Sequence, residues 1–162
     1  KPTPAAEPEF RQTINHQQPA EIEYAWLRVD VPTNAFAEDV VFEISLSNLS
    51  RSSGLSLDDM LLTNQPIEFA MAAYATADGS RMDLSNDKAL TVNLQMAQET
   101  AEQLASGSFT LRQQDLVSGE WTATDLIYEG SEPTNVSFSV NQLTSWNIQK
   151  SQRKLFIPLV IR

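Results

Sequence analysis

The clearest signal in the chain is an alternation of apolar and polar residues with a period of two. Val40, Phe42, Ile44 and Leu46 are separated by Val41, Glu43 and Ser45. Leu90, Val92, Leu94 and Met96 alternate with Thr91, Asn93 and Gln95. Phe109 and Leu111 repeat the pattern, as do Val136, Phe138 and Val140. Successive side chains of a strand point to opposite faces, so each run predicts a strand with one buried and one wet face.

Three other stretches need arbitration. Residues 66–76 are rich in alanine, which favours helix, yet Ile67, Phe69 and Met71 keep period two. The Asp78-Gly79 pair that follows is a tight-turn signal, so the pattern predicts a strand ending in that turn. Ser118-Gly119 marks a second turn, separating a strand over 109–115 from one over 121–128. The segment from Glu21 to Val31 changes phase: Ile22 and Tyr24 are apolar at even positions, Leu27, Val29 and Val31 at odd ones. One strand with a bulge near Ala25-Trp26, stopped by Pro32, reconciles the two halves.

Helix signals are few. Residues 97–105 combine high helix propensity with a stop at Gly107, and with one strong apolar residue they predict a short surface turn. Ser56 to Leu62 predicts one more turn, with Ser56 as N-cap and Asp59 completing a capping box. The chain therefore reads as an all-β domain: an antiparallel β-sandwich or jelly roll of about eight or nine strands, with at most one or two short helical turns. The expected organisation is an extended Pro-rich N-terminal arm over 1–18, a β-sandwich over 19–150 and an apolar C-terminal strand over 151–162.

That last segment departs from the pattern. Leu155, Phe156, Ile157, Pro158, Leu159, Val160 and Ile161 run without alternation up to Arg162. A strand with no polar face is expected to meet protein on both sides. Pro158 lacks an N–H and places the segment at an edge or a bulge. It is expected either to close its own sandwich as the last strand or to enter a neighbouring subunit by strand addition. In the arm, Phe10 and Ile14 flank the alternating Gln12, making that stretch the second candidate for exchange.

Charge sharpens the picture. The chain carries −10 overall. Residues 150–162 hold Lys150, Arg153, Lys154 and Arg162 and no acid, whereas residues 1–149 set seven basic residues against 21 acids, a net −14. An acidic body argues against nucleic acid, whose phosphates need a basic footprint, and against anionic membrane surfaces. A basic, apolar end is attracted to an acidic surface, its own or a neighbour's. There is no cysteine, which excludes disulfides, thiolate metal sites and cysteine nucleophiles. No apolar run of about 18 residues predicts a membrane span. The opening Lys1-Pro2-Thr3-Pro4-Ala5-Ala6-Glu7-Pro8 reads as the kind of spacer that follows a cleaved export signal.

Candidate chemistry is thin. His16, the single histidine, lies in the polar run Asn15-His16-Gln17-Gln18 and reads as a solvated residue. No nucleophile elbow, metalloprotease helix, phosphate loop or dinucleotide fingerprint occurs, so no catalytic residue is predicted and the chain is not expected to be an enzyme. Calcium, which takes oxygen ligands, is the one cofactor the composition suggests, through Asp78, Asp83 and Asp87, with Asp58-Asp59 a weaker site. Trp26, Trp121 and Trp146 offer either core packing or a glycan-stacking surface. Asn48-Leu49-Ser50 and Asn135-Val136-Ser137 fit the glycosylation sequon, and Lys88 is the lysine an internal isopeptide bond would use.

One cadence is familiar. Ser108-Phe109-Thr110-Leu111, then Asp115 with Ser118-Gly119-Glu120-Trp121, then Val136 to Val140, then Leu143-Thr144-Ser145-Trp146 resembles the closing strands of β-sandwich modules in bacterial surface and secreted proteins. The ending Phe156 to Arg162 looks like a short terminal motif of some secreted bacterial proteins. The resemblance implies an exported bacterial domain of structural or adhesive type and carries no catalytic residue across. Together these features predict an extracellular assembly subunit, a homo-oligomer or polymer joined through terminal strand addition. The competing expectation is a secreted, monomeric module that binds carbohydrate or a surface.

Overall fold

The computed structural model describes residues 10–46, 67–96, 98–128 and 135–151. These form two antiparallel sheets facing each other, with one short helix, so the all-β sandwich is confirmed. The strands are β1 (Phe10–Ile14), β2 (Ala20–Tyr24), β3 (Leu27–Val31), β4 (Val40–Leu46), β5 (Ile67–Ala75), β6 (Leu90–Gln95), β7 (Phe109–Gln114), β8 (Trp121–Ala123), β9 (Ile127–Tyr128), β10 (Asn135–Val140) and β11 (Ser145–Lys150). The helix α1 (Gln98–Ala105) joins β6 to β7. One sheet has the order β1-β4-β5-β11-β7-β8 and the other β2-β3-β6-β10-β9.

The alternation in the sequence becomes the two faces of each sheet. In β4 the residues Val40, Phe42, Ile44 and Leu46 are buried while those between them are half-buried. Along β5 the buried set is Ile67, Phe69, Met71, Ala73 and Ala75, which settles the alanine-rich stretch as strand. Burial on a pleated surface outweighs the weak helix preference of alanine, because each fully buried Ile, Phe or Met contributes roughly 1.5–3 kcal/mol. The two inner faces meet through aromatic rings. Phe69 of the first sheet touches Phe138 of the second at 6.4 Å between centroids, and Trp26 meets Phe69 edge-on at 5.5 Å.

Four expectations are corrected. Ala25-Trp26 is no bulge. Tyr24 pairs with Leu27, Ile22 with Val29 and Ala20 with Val31, so the segment is a two-residue hairpin. Ala25 has a φ of 53°, the positive value that the first position of a II′ hairpin turn requires. A two-residue loop reverses the chain and swaps the parity of inward positions, as a bulge would, so the phase change alone cannot tell them apart. Second, the stretch 121–128 is not one strand. β8 pairs with β7 in the first sheet and β9 with β10 in the second, the chain crossing between sheets at Thr124-Asp125-Leu126. Third, the helix over 98–105 is more than a surface turn: Thr100, Ala101 and Leu104 are buried.

Fourth, Phe10–Ile14 belongs to the sandwich. β1 runs antiparallel to β4 of its own chain, with Phe10 opposite Ile44 and Ile14 opposite Val40, and Ile14 enters the core. Phe10–Ile14 is thus an edge strand of the first sheet. Phe10 also lies 5.2 Å from the ring of Tyr24, joining the β1 edge of one sheet to the β2 edge of the other.

Candidate functional site

The C-terminal candidates Leu155, Phe156, Ile157, Leu159, Val160 and Ile161 lie outside the described residues, as do Asn48, Asp58, Asp59 and the turn expected over 56–62. What is described is the strand that leads into the C-terminal segment. β11 is an interior strand, bonded to β5 on one side and β7 on the other. Just past its end the Ser151 amide donates to the Ser108 carbonyl at 2.9 Å.

The tryptophans do not share a surface. Trp146 is fully buried and Trp26 almost so, which removes both from any glycan-stacking role. Trp121 is half-exposed on the outer face of the first sheet. Nor do the acids of the proposed calcium loop gather. Among the described residues no three His, Cys, Asp or Glu side chains converge to hold a metal ion. Asp78 instead accepts the Ser80 amide at 2.9 Å, and these bonds to Ser80 hold its carboxyl below the usual carboxylate range.

His16 has a definite structural role. Its Nδ1 lies 2.6 Å from Asp39 Oδ1, and its backbone N–H donates to the same oxygen at 3.0 Å. Its carbonyl accepts from the Asn34 amide at 2.7 Å. The residue clamps the β1–β2 connection to the β3–β4 connection, where a solvated side chain was expected. Asn135 opens the interior strand β10 opposite Gln95, and Lys88 is exposed.

The feature that the strand register assembles is a row of side chains across the outer face of the first sheet. Ser45 of β4 is opposite Ala70 of β5, and Ala70 is opposite Ser145 of β11. Trp146 pairs with Gln113, so Ser145 falls level with Gln114 of β7, which pairs with Trp121 of β8. At about 4.8 Å per strand the row runs roughly 19 Å across five strands. All five side chains are half-buried, and they line an open groove of about 240 Å³ together with Glu68.

Local bonds hold this row in place. Asp115 accepts the amides of Val117 and Ser118, both at 2.8 Å, which shapes the β7–β8 loop and lowers its carboxyl pKa. Gly119, at a φ of 74°, completes the turn that brings Trp121 back beside Gln114. Gln114 Nε2 donates to the Gly119 carbonyl at 3.2 Å. Thr144 Oγ1 donates to the Gln114 carbonyl at 2.9 Å, and the Met71 amide donates to the Thr144 carbonyl at 3.0 Å. These bonds fix where β11 enters between β5 and β7, and so fix Ser145.

The adjoining row carries Glu68 opposite Asn147, with Asn147 opposite Arg112. Asn147 is 8% exposed and its Oδ1 has no hydrogen-bond partner. Nothing in the sequence singled out Ser45, Glu68, Gln114, Ser145 or Asn147, which read as ordinary polar positions of separate strands. Only the strand order makes them neighbours. The nearby loop tip exposes Leu116 and, at 94%, Val117. Among the described residues no helix is long and apolar enough to cross a membrane.

No family model matches this chain, and no curated protein does.

Proposed function

We propose that the protein is a structural module of an extracellular assembly, joined to neighbouring copies through its apolar C-terminal segment. The reading rests on one observation: every interior place in the two described sheets is taken. β11 is hydrogen-bonded on both sides, so a strand added from 155–162 would have only the edges of the described sheets open to it, in its own body or in another. Edge strands with free N–H and C=O groups accept added strands. Of the described edges, β2 carries Glu21 and Glu23 and β1 carries Arg11. The acidic β2 edge suits a segment flanked by Lys150, Arg153, Lys154 and Arg162.

Deleting residues 155–162 tests the reading. The intact chain is expected to form oligomers that grow with concentration in light scattering and break down at high salt. The truncated chain is expected to stay folded by circular dichroism and to remain monomeric. An intact chain that is monomeric at every concentration, with a truncated form that unfolds, makes the segment an internal strand and overturns the proposal.

A further inference from the structure

We infer that the outer face of the β4–β5–β11–β7–β8 sheet is a binding site for an uncharged oligosaccharide, seated along the Ser45–Ala70–Ser145–Gln114–Trp121 row. None of the residues that form this row belongs to the C-terminal segment 155–162, so the inference is tested apart from the assembly role.

The chemistry of the row is mixed in a specific way. A pyranose presents an apolar face of C–H groups and an edge of hydroxyls. Trp121, half-exposed at one end, offers an indole face for the C–H surface. Ser45 and Ser145 supply hydroxyls that donate and accept, Gln114 an amide, and Glu68 a carboxylate that accepts from sugar hydroxyls. Ala70 between the two serines keeps the middle of the groove low. A groove open along roughly 19 Å, at about 4.8 Å per strand, takes a chain of sugars lengthwise where a closed pocket would take one ring.

Charge selects among sugars: a body at −14 and Glu68 on the groove disfavour sulfated or uronate polymers.

The same geometry supplies the readout. Trp26 and Trp146 are buried in the core, so a ligand in the groove perturbs the emission of Trp121. The experiment titrates the full chain with cellohexaose, xylohexaose, mannohexaose and maltohexaose, with heparin as the anionic comparison. A saturable change in tryptophan fluorescence is expected with at least one neutral hexasaccharide. Trp121→Ala is expected to weaken that binding by at least about tenfold, equivalent to about 1.4 kcal/mol, as seen by calorimetry. Ser145→Leu, which fills the groove from β11, is expected to abolish it while the folded spectrum is kept. No saturable binding by any neutral hexasaccharide, tighter binding of heparin, or unchanged affinity in both variants overturns the inference.

Discussion

Phe69 and Trp146 are cross-strand partners on β5 and β11 whose rings stack at 5.5 Å with only 14° between their planes. Phe138 from the opposite sheet closes on both, at 6.4 Å from Phe69 and 6.1 Å from Trp146. The indole Nε1 of Trp146 is buried there without a hydrogen-bond partner. Two effects therefore oppose each other at this residue. Ring packing stabilises, and an unmet donor costs roughly 1–3 kcal/mol.

Separating them gives the first prediction. Trp146→Ala leaves a cavity between the sheets and is expected to cost about 3–5 kcal/mol. Trp146→Phe keeps a stacked ring and removes the unmet N–H, so it is expected to cost at least about 2 kcal/mol less than the alanine variant. Urea denaturation of the two variants measures the difference. Equal losses would show that the indole N–H is satisfied in solution.

The hairpin between β2 and β3 is made with alanine at a φ of 53°. An L-residue in that region is strained by roughly 1–2 kcal/mol, whereas glycine adopts it freely. Glycine loses more chain entropy on folding, by about 0.4–1 kcal/mol. Ala25→Gly is therefore expected to stabilise the protein by several tenths of a kcal/mol up to about 1 kcal/mol. Ala25→Val is expected to destabilise it. A glycine variant with a lower denaturation midpoint would contradict the two-residue turn.

Because β1 completes its sheet within the chain, removing residues 1–14 is expected to uncover the β4 edge. Loss of Ile14 alone, by Ile14→Ala, should cost roughly 2–4 kcal/mol. The truncated chain should also self-associate, since Val40 to Ile44 would present free backbone groups. Sedimentation and thermal melts read both effects. Unchanged stability on truncation would mean β1 does not hold the body together.

The clamp between the two connections is expected to be acid-sensitive. The His16 side-chain bond is the largest cause of the depressed pKa of Asp39, followed by the His16 backbone bond. A carboxyl whose pKa falls on folding contributes stability that is fully present above its unfolded value. That contribution is lost as the pH falls through the lower, folded value. Stability is thus expected to decline below the ordinary carboxylate range, with Asp78 and Asp115 acting in the same direction. Asp39→Asn should weaken the fold near neutral pH and lose its disadvantage in strong acid. Denaturation midpoints measured across that range decide it.

Strand positions were legible because burial of one sheet face imposes period two wherever the chain is extended. Val40 to Leu46 and Val136 to Val140 needed no tertiary information to be read as half-buried strands. The Ser118-Gly119 and Asp78-Gly79 turns were equally local, since both rest on backbone that glycine adopts at positive φ. The sequence misled where two geometries share one pattern. Ala25-Trp26 satisfied both a bulge and a hairpin, and Phe10 to Ile14 satisfied both an exposed arm and an edge strand.

Sequence by itself determined the all-β class, the two layers of side chains on each strand and the charge contrast between the body and its end, because these depend on neighbours in the chain. The tertiary structure alone decided which strands lie side by side. Order and register are set by long-range packing, such as Phe69 against Trp146 and Phe138, and no local pattern encodes that choice. The same choice brought Ser45, Ser145, Gln114 and Trp121 into one row, although up to 100 residues separate them along the chain.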